Sequence, residues 1–332
     1  LKDLTVRFPL GRFTVVTGVS RSGKSTLGKE CPLPAMQDAL RRKGRGTPPA
    51  GAPFVTGHEG FGAVHEVDQS PIGRTPRSTP ATYVGFFDDI RALFAQLPEA
   101  KLRGYTASRF SFNSTQGRCP ICEGAGAVKL EMNFLPPAFV KCEACGGTRF
   151  NRETLDVEYA GKNIARVLDL SVDEAIEFFA ALPRIRRPLE ALRDTGLGYL
   201  RLGQTSPTLS GGEAQRVKLV THLLGGLKAD APRLRGPAPR PGLFLLEEPT
   251  IGLHLSDVRR LVEVIQRLVD HGHTVIVIEH NLDLVAEADW VMDLGPEAGA
   301  AGGRLVCEGP PEAIARHPDS HTGRHLRPVL GG

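Results

Sequence analysis

An α/β fold, with a parallel sheet covered on both faces, follows from three stretches of this chain. Phe13-Thr-Val-Val-Thr17 is a strand-like run that leads straight into Gly18-Val-Ser-Arg-Ser-Gly-Lys-Ser-Thr26. Leu243-Phe-Leu-Leu246 and Thr274-Val-Ile-Val-Ile278 are near-continuous aliphatic runs of the buried-strand type. Between those two runs, Ser256 to His271 repeats apolar residues at helical spacing. Val258, Leu261, Val262, Ile265, Leu268 and Val269 fall on one face, and Gly272 is placed to end the helix.

The bulk numbers bound the rest. A length of 332 residues suggests two or three units. With 41% hydrophobic and 23% charged residues the chain is globular rather than disordered or fibrous. A formal net charge of +4 does not by itself argue for a nucleic-acid partner. The chain lacks a run of about 18 apolar residues, so a membrane-spanning helix is not expected, and the opening does not read as a signal peptide. Four of the six cysteines form two C-x-x-C pairs, while Cys31 and Cys307 stand alone. Paired spacing of this kind reads as a metal site before a disulfide. The start at Leu1, with the glycine-rich loop following at once, reads as a fragment or an excised half.

Along the chain, residues 31–62 are poor in regular pattern, and Arg41 to Pro53 reads as a loop or a disordered bridge. Residues 83–97 carry helical spacing through Phe86, Phe87, Ile90, Leu93, Phe94 and Leu97. Helical patterns return at 172–182 and 185–194, and a further helix starts after Gly211-Gly212 and runs to about Leu224. Lys228 to Pro241, rich in Pro and Arg, reads as a surface loop.

Gly18 to Thr26 fits G-x-x-x-x-G-K-[ST] at every fixed position, in the strand–loop–helix context the motif requires. The backbone N–H groups of Gly18, Val19, Ser20, Ser22, Gly23, Lys24, Ser25 and Thr26 would wrap the phosphates of a nucleoside triphosphate. Lys24 would reach the β/γ-phosphates and the Ser25 hydroxyl would hold Mg²⁺. The second buried strand ends in Glu247-Glu248. One acid at such a place holds Mg²⁺, assigned to Glu247, and the next serves as general base, assigned to Glu248. Two solvated acids at a strand end are the plainer reading.

Leu209-Ser210-Gly211-Gly212-Glu213-Ala-Gln-Arg216 puts two glycines at a helix start, where backbone N–H groups can approach an anion. A helix capped by Ser210 is the plainer account. In order with the two motifs above, the run resembles the signature of ATP-binding cassette ATPases. That resemblance makes Ser210, Gly211, Gly212 and Glu213 nucleotide-contacting, Gln69 the glutamine-loop residue and His280, just past the strand at 274–278, the switch histidine.

Cys119-Pro-Ile-Cys122 is followed after 19 residues by Cys142-Glu-Ala-Cys145. Two knuckles at this spacing are a strong signal for tetrahedral Zn²⁺, and a closed shell of four thiolates makes the metal structural. Val128 to Phe134 alternates like a strand and precedes Pro136-Pro137, so the insert reads as a hairpin held at its base by metal. Lys101, Arg103, Arg109, Arg118, Lys129, Lys141, Arg149 and Arg152 surround it, interleaved with Tyr105, Phe110, Phe112 and Phe134. A nucleic-acid surface and a solvated face over core aromatics account for this cluster equally well.

Longer runs carry a closer resemblance. Val67 to Tyr83, Gly104 to Asn113, Lys129 to Pro136, Phe150 to Leu155, Gly196 to Gln204, Leu209 to Leu219 and Ile278 to Asp283 are similar to the C-terminal nucleotide-binding half of the UvrA family of DNA-repair ATPases. The resemblance implies an ABC-type P-loop domain in which residues 1–85 and 226–332 form the ATP-binding parts. It makes 86–225 an inserted helical signature domain, with the zinc hairpin at about 115–150. It further implies ATP, Mg²⁺ and Zn²⁺ as cofactors and a cytoplasmic location. The partners it implies are damaged duplex DNA, a UvrB-like helicase subunit and a second nucleotide-binding half or a second copy. Each ATP site would join the phosphate loop of one half to the signature of the other. The chain departs from the family pattern with Arg21 in place of Gly, Glu247 in place of Asp and Ile251 in place of Thr. These departures raise a second reading, a paralogue with weakened turnover serving in drug resistance or accessory DNA binding. A transporter ATPase, a third reading, gives no reason for the cysteine insert.

Overall fold

The computed structural model describes residues 4–42, 55–132, 135–229, 240–297, 299 and 302–331. Most of the expected loops at 41–53 and 228–241, together with Phe134, lie outside the described residues. The strands in chain order are β1 (Phe13–Gly18), β2 (Ala63–Val67), β3 (Ala127–Met132), β4 (Leu135–Lys141), β5 (Glu158–Tyr159), β6 (Lys162–Asn163), β7 (Gly242–Glu247), β8 (Thr274–Ile278), β9 (Trp290–Gly295) and β10 (Arg304–Gly309).

The chain divides into two compact units, 1–69 with 225–332, and 70–224. The first unit is built on a six-stranded sheet in the order β10-β9-β1-β8-β7-β2. All its neighbours run parallel except β10, which is antiparallel to β9. β1 sits between β8 and β9, so its side chains face covered layers on both sides. Phe13, Val15 and Val16 are fully buried, as are Val275 and Val277 of β8. Each such side chain removed from water is worth roughly 1.5–3 kcal/mol. The helix Leu255–Asp270 packs Val258, Leu261, Val262, Val264, Ile265 and Leu268 inward, while Val269 is only half-buried.

Registers bring the strand ends to one edge. Gly18 pairs with Leu294, Val67 with Leu246, Glu247 with Ile278, and Val16 with Ile278. The residues following β1, β2, β7 and β8 therefore gather at the carboxyl ends of parallel strands, where open α/β sheets bind ligands.

The second unit is mainly helical, with a hairpin of β3 and β4 and a short one of β5 and β6. Its core is aromatic and aliphatic, with Phe86, Ile90, Phe94, Phe110, Phe112, Phe150, Phe179 and Leu189 among its fully buried members. Phe112 stacks on Phe87 with centroids 5.2 Å apart and meets Phe150 edge-on at 6.1 Å.

Five local differences from the sequence pattern stand out, and the first two have a physical reason in a proline or a glycine. The expected pattern-poor stretch contains a helix, Pro32–Arg42, that buries Leu33 and Met36. Its prolines fall in the first turn, where their missing N–H groups break no intrahelical bond. The helix expected at 83–97 is split into Pro80–Val84 and Phe87–Gln96 by Gly85, whose φ of +99° caps the first piece. The helix expected at 172–182 ends at Phe178, and the one after Gly211 continues to Ala229. The first unit ends at Gln69, whereas the sequence placed that boundary at 85.

Candidate functional site

The glycine-rich loop expected to bind phosphate leaves β1 through Gly18, whose φ is +137°. A Cβ there would lie 2.0 Å from the Leu294 carbonyl oxygen, so only glycine lets β1 run this close to β9. Arg21 holds a φ of +61°, a left-handed conformation that side chains other than glycine's adopt at a cost. A turn at the end of β9 braces this part of the loop: Gly299 N–H donates to Arg21 O at 3.2 Å and Gly303 N–H to Ser22 O at 3.1 Å. Among the described residues, Ser22 Oγ is buried without a hydrogen-bond partner.

Lys24 is buried, and its Nζ donates to the carbonyls of Gly18 and Val19, each at 2.9 Å. Burial lowers its pKa, while the charges of Glu248 and Asp293 oppose that shift. After Ser25, residues Thr26–Glu30 wind as a π-helix, and Gly28 lies against the side chain of Ile278.

Glu247 ends β7, and Glu248 follows with a φ of +44°, its N–H bonded to Ile278 O at 2.9 Å. Glu248 Oε1 lies 3.9 Å from His280 Nδ1. The structure thus brings the loop lysine, the second acid and the histidine to the same sheet edge. Gln69 is two residues past β2, level with the acids by the β2–β7 register. Lys29 was not anticipated: its Nζ is 3.1 Å from Glu66 and 3.8 Å from Glu247. Its pKa is raised, chiefly by the hydrogen bond to Glu66. Glu279 was also missed. It is fully buried and bonds to both Thr250 and the backbone of His280 and Asn281. An acid inside an aliphatic run, Ile-Val-Ile-Glu-His, was the available signal.

In the second unit, Ser210 caps the helix Gly211–Ala229 in a reciprocal box. Glu213 N–H donates to Ser210 Oγ at 3.2 Å, and Ser210 N–H to Glu213 Oε2 at 2.7 Å. Tyr199 OH donates to Glu213 Oε1 at 2.7 Å. Desolvation first, and then this bond to Glu213, pushes the Tyr199 pKa up to about 12. The plainer reading of Ser210 as a cap therefore holds, and Gly211 and Gly212 supply the first turn.

The four cysteines converge. Sγ atoms of Cys119, Cys122, Cys142 and Cys145 all lie within 4.8 Å of one another, and Cys122 and Cys145 are 3.7 Å apart. That distance is far beyond a disulfide bond. It matches the roughly 3.8 Å edge of a tetrahedron with Zn–S bonds of about 2.3 Å. Burial pushes the Cys122 thiol up to about 12, the burden a bound cation would remove. Gly126 N–H donates to Cys122 Sγ at 3.3 Å, and Cys119 N–H to Arg149 O at 2.8 Å. β3 and β4 spring from this base, with Ala127 opposite Lys141.

The basic cluster divides. Phe110 and Phe112 are core residues, not part of an exposed nucleic-acid surface. Arg149 is buried over the Phe112 ring and donates to Gly203 O at 2.7 Å. Arg103 pairs with Glu99 and Asp156, Arg109 with Glu153, and Arg118 with Glu123. Lys101, Lys129, Lys141 and Arg152 are exposed, as are Val128, Phe139 and Val140 on the hairpin. Among the described residues, no helix is long and apolar enough to cross a membrane.

The chain is 52% identical over 330 residues to the UvrABC system protein A of Haemophilus influenzae, covering 99% of this chain and 34% of that protein. It is 53% identical over 342 residues to the UvrABC system protein A of Aquifex aeolicus, again covering 99% and 34%. The crystal structure of UvrA2 from Deinococcus radiodurans superposes with a TM-score of 0.85 at 51% identity, covering 98% of this chain and 38% of that one. The chain therefore spans about a third of the length of the curated relatives it matches. No family model matches it.

Proposed function

We propose, from the premise that this chain is a UvrA homologue over nearly its whole length and matches about a third of theirs, that it is one nucleotide-binding half of an ATP-dependent DNA-damage recognition subunit in nucleotide excision repair. The observation that carries this reading is the pairing of two features in one chain. Lys24, Glu248 and His280 meet at the carboxyl edge of a parallel sheet, and four cysteines cluster at the base of a hairpin in the second unit. The ABC-type ATPase fold hosts the first, and the UvrA homology gives the second its meaning.

In this mechanism the loop N–H groups from Gly18 to Thr26 bind the triphosphate. Lys24 turns from the Gly18 and Val19 carbonyls to the β/γ-phosphates. Mg²⁺, when bound, neutralises phosphate charge, and Ser25 and Glu247 are the residues that would hold it. Glu248 accepts a proton from the attacking water as general base. His280, 3.9 Å from that carboxylate, orients the water and contacts the γ-phosphate, and Gln69 senses the occupied site. Ser210, Gly211, Gly212 and Glu213 serve the site of a second half or a second copy. Cys119, Cys122, Cys142 and Cys145 hold a structural Zn²⁺ that fixes the hairpin, whose exposed Lys129 and Lys141 face duplex DNA. A UvrB-like helicase is the partner loaded, and the setting is cytoplasmic. The ATP-binding parts are the two stretches of the first unit, 1–69 and 225–332, and 70–224 is the signature domain inserted between them.

The test is ATP hydrolysis by the full-length protein with and without lesion-bearing duplex DNA at low salt. Turnover that responds to the lesion, and is lost on Glu248→Gln, supports the reading. A zinc-loaded protein without DNA affinity refutes it. The paralogue reading with weakened turnover keeps one specific support: Lys29 lies 3.8 Å from Glu247 and competes with Mg²⁺ for that carboxylate. Restoring Asp at 247 would then raise turnover.

A further inference from the structure

The structure assigns to Glu279 a positioning role: a fully buried carboxylate that locks the loop following the paired acids to the loop carrying His280. The inference rests on the ATPase reading above. Oε1 accepts the Thr250 N–H at 3.0 Å and the Thr250 hydroxyl. Oε2 accepts the His280 N–H at 2.7 Å and the Asn281 N–H at 3.0 Å. The backbone of Glu279 is itself fixed, its N–H donating to Val16 O of β1 at 3.1 Å.

Four donors on two oxygens is close to a full complement for a carboxylate, and a buried acid is tolerated only when so satisfied. The donors come from both sides of the catalytic pair. Thr250 lies two residues after Glu248, and His280 is the partner facing it. Asn281 extends the hold by capping the helix Leu282–Ala286, accepting the Leu284 N–H at 3.2 Å. Glu279 touches no reacting atom. It sets the distance between Glu248 and His280 by gripping the backbone beside each. An amide could not replace it, because its NH₂ would face N–H donors on one side. Aspartate, one methylene shorter, could not span both loops.

A buried acid that merely stabilises the sheet edge would show the same hydrogen bonds, so the experiment separates the two roles. ATP turnover is measured for the full-length protein as wild type, Glu279→Gln, His280→Ala and the double variant. Glu279→Gln is expected to lower kcat about ten- to a hundredfold with KM changed less than about twofold, since it misplaces a group without touching substrate. In the His280→Ala background the same substitution is expected to cost less than about twofold, because its effect passes through His280. A loss that multiplies in full across the two backgrounds overturns the positioning role while leaving the ATPase reading standing. Absence of turnover in the wild type overturns both. Should Glu279→Gln fail to fold, Thr250→Val, which removes one donor and keeps the carboxylate, carries the same cycle.

Discussion

Replacing Arg21 by glycine should stabilise the unit that carries the sheet. Arg21 holds a φ of +61° on the exposed part of the phosphate loop. A side chain in the left-handed region costs about 1–2 kcal/mol through the clash of Cβ with the neighbouring carbonyl. Glycine relieves that clash and loses about 0.5–1 kcal/mol through the extra freedom it gives the unfolded chain. The difference leaves a net gain of roughly 0.5–1 kcal/mol. For a unit of this size that corresponds to a rise of about 1–4 °C in Tm. Urea or thermal unfolding of wild type, Arg21→Gly and Arg21→Ala reads it directly. Alanine keeps Cβ and should gain nothing beyond about 0.3 kcal/mol. If alanine stabilises as much as glycine, the long charged side chain and not the backbone is at fault, and the reasoning fails. A loss of stability in the glycine variant would refute it outright.

Three further outcomes are expected. Metal analysis should find about one zinc ion per chain, falling to near zero in Cys142→Ser, since three thiolates do not close a tetrahedral shell. Phe112→Ala should cost about 3–5 kcal/mol in chemical denaturation, because it opens a cavity between Phe87 and Phe150. Burial first, and then the neighbouring His273, lowers the pKa of His65 below its ordinary 6.5. The unfolded chain then binds the proton more readily than the folded one, so stability should fall as pH drops below about 6.5. His65→Gln should flatten that acid limb, and an NMR titration placing His65 above 6.5 would contradict the sign.

What could be read from the sequence was whatever is fixed by short-range chemistry. The strand before Gly18, the aliphatic runs of β7 and β8 and the cysteine spacing each depend on a few adjacent residues, and each fell where the pattern put it. Where distant partners decide, the pattern left the reading open or missed the residue. Phe110 and Phe112 sit among basic residues in sequence yet are enclosed by Phe94, Phe87 and Phe150. Lys29 faces Glu66 and Glu247 only after β2 and β7 pair. Glu279 reads as an ordinary acid until Thr250 is brought to it across the sheet edge. The helix Pro32–Arg42 lies in a stretch that reads as poor in regular pattern, and its two prolines fall in its first turn.

On the nucleotide-binding role proposed above, the grip of Lys24 on its own loop bears on how a triphosphate would enter. Two carbonyl bonds, each worth roughly 1 kcal/mol net, must be surrendered before the ammonium can turn to phosphate. Admission of the nucleotide is thus an exchange of partners rather than the filling of a waiting cradle. A ligand without a group for Lys24 to take up leaves those carbonyls in possession of the lysine. On the reading proposed above, a ligand would hold the lysine only by offering it an oxygen in place of the two carbonyls.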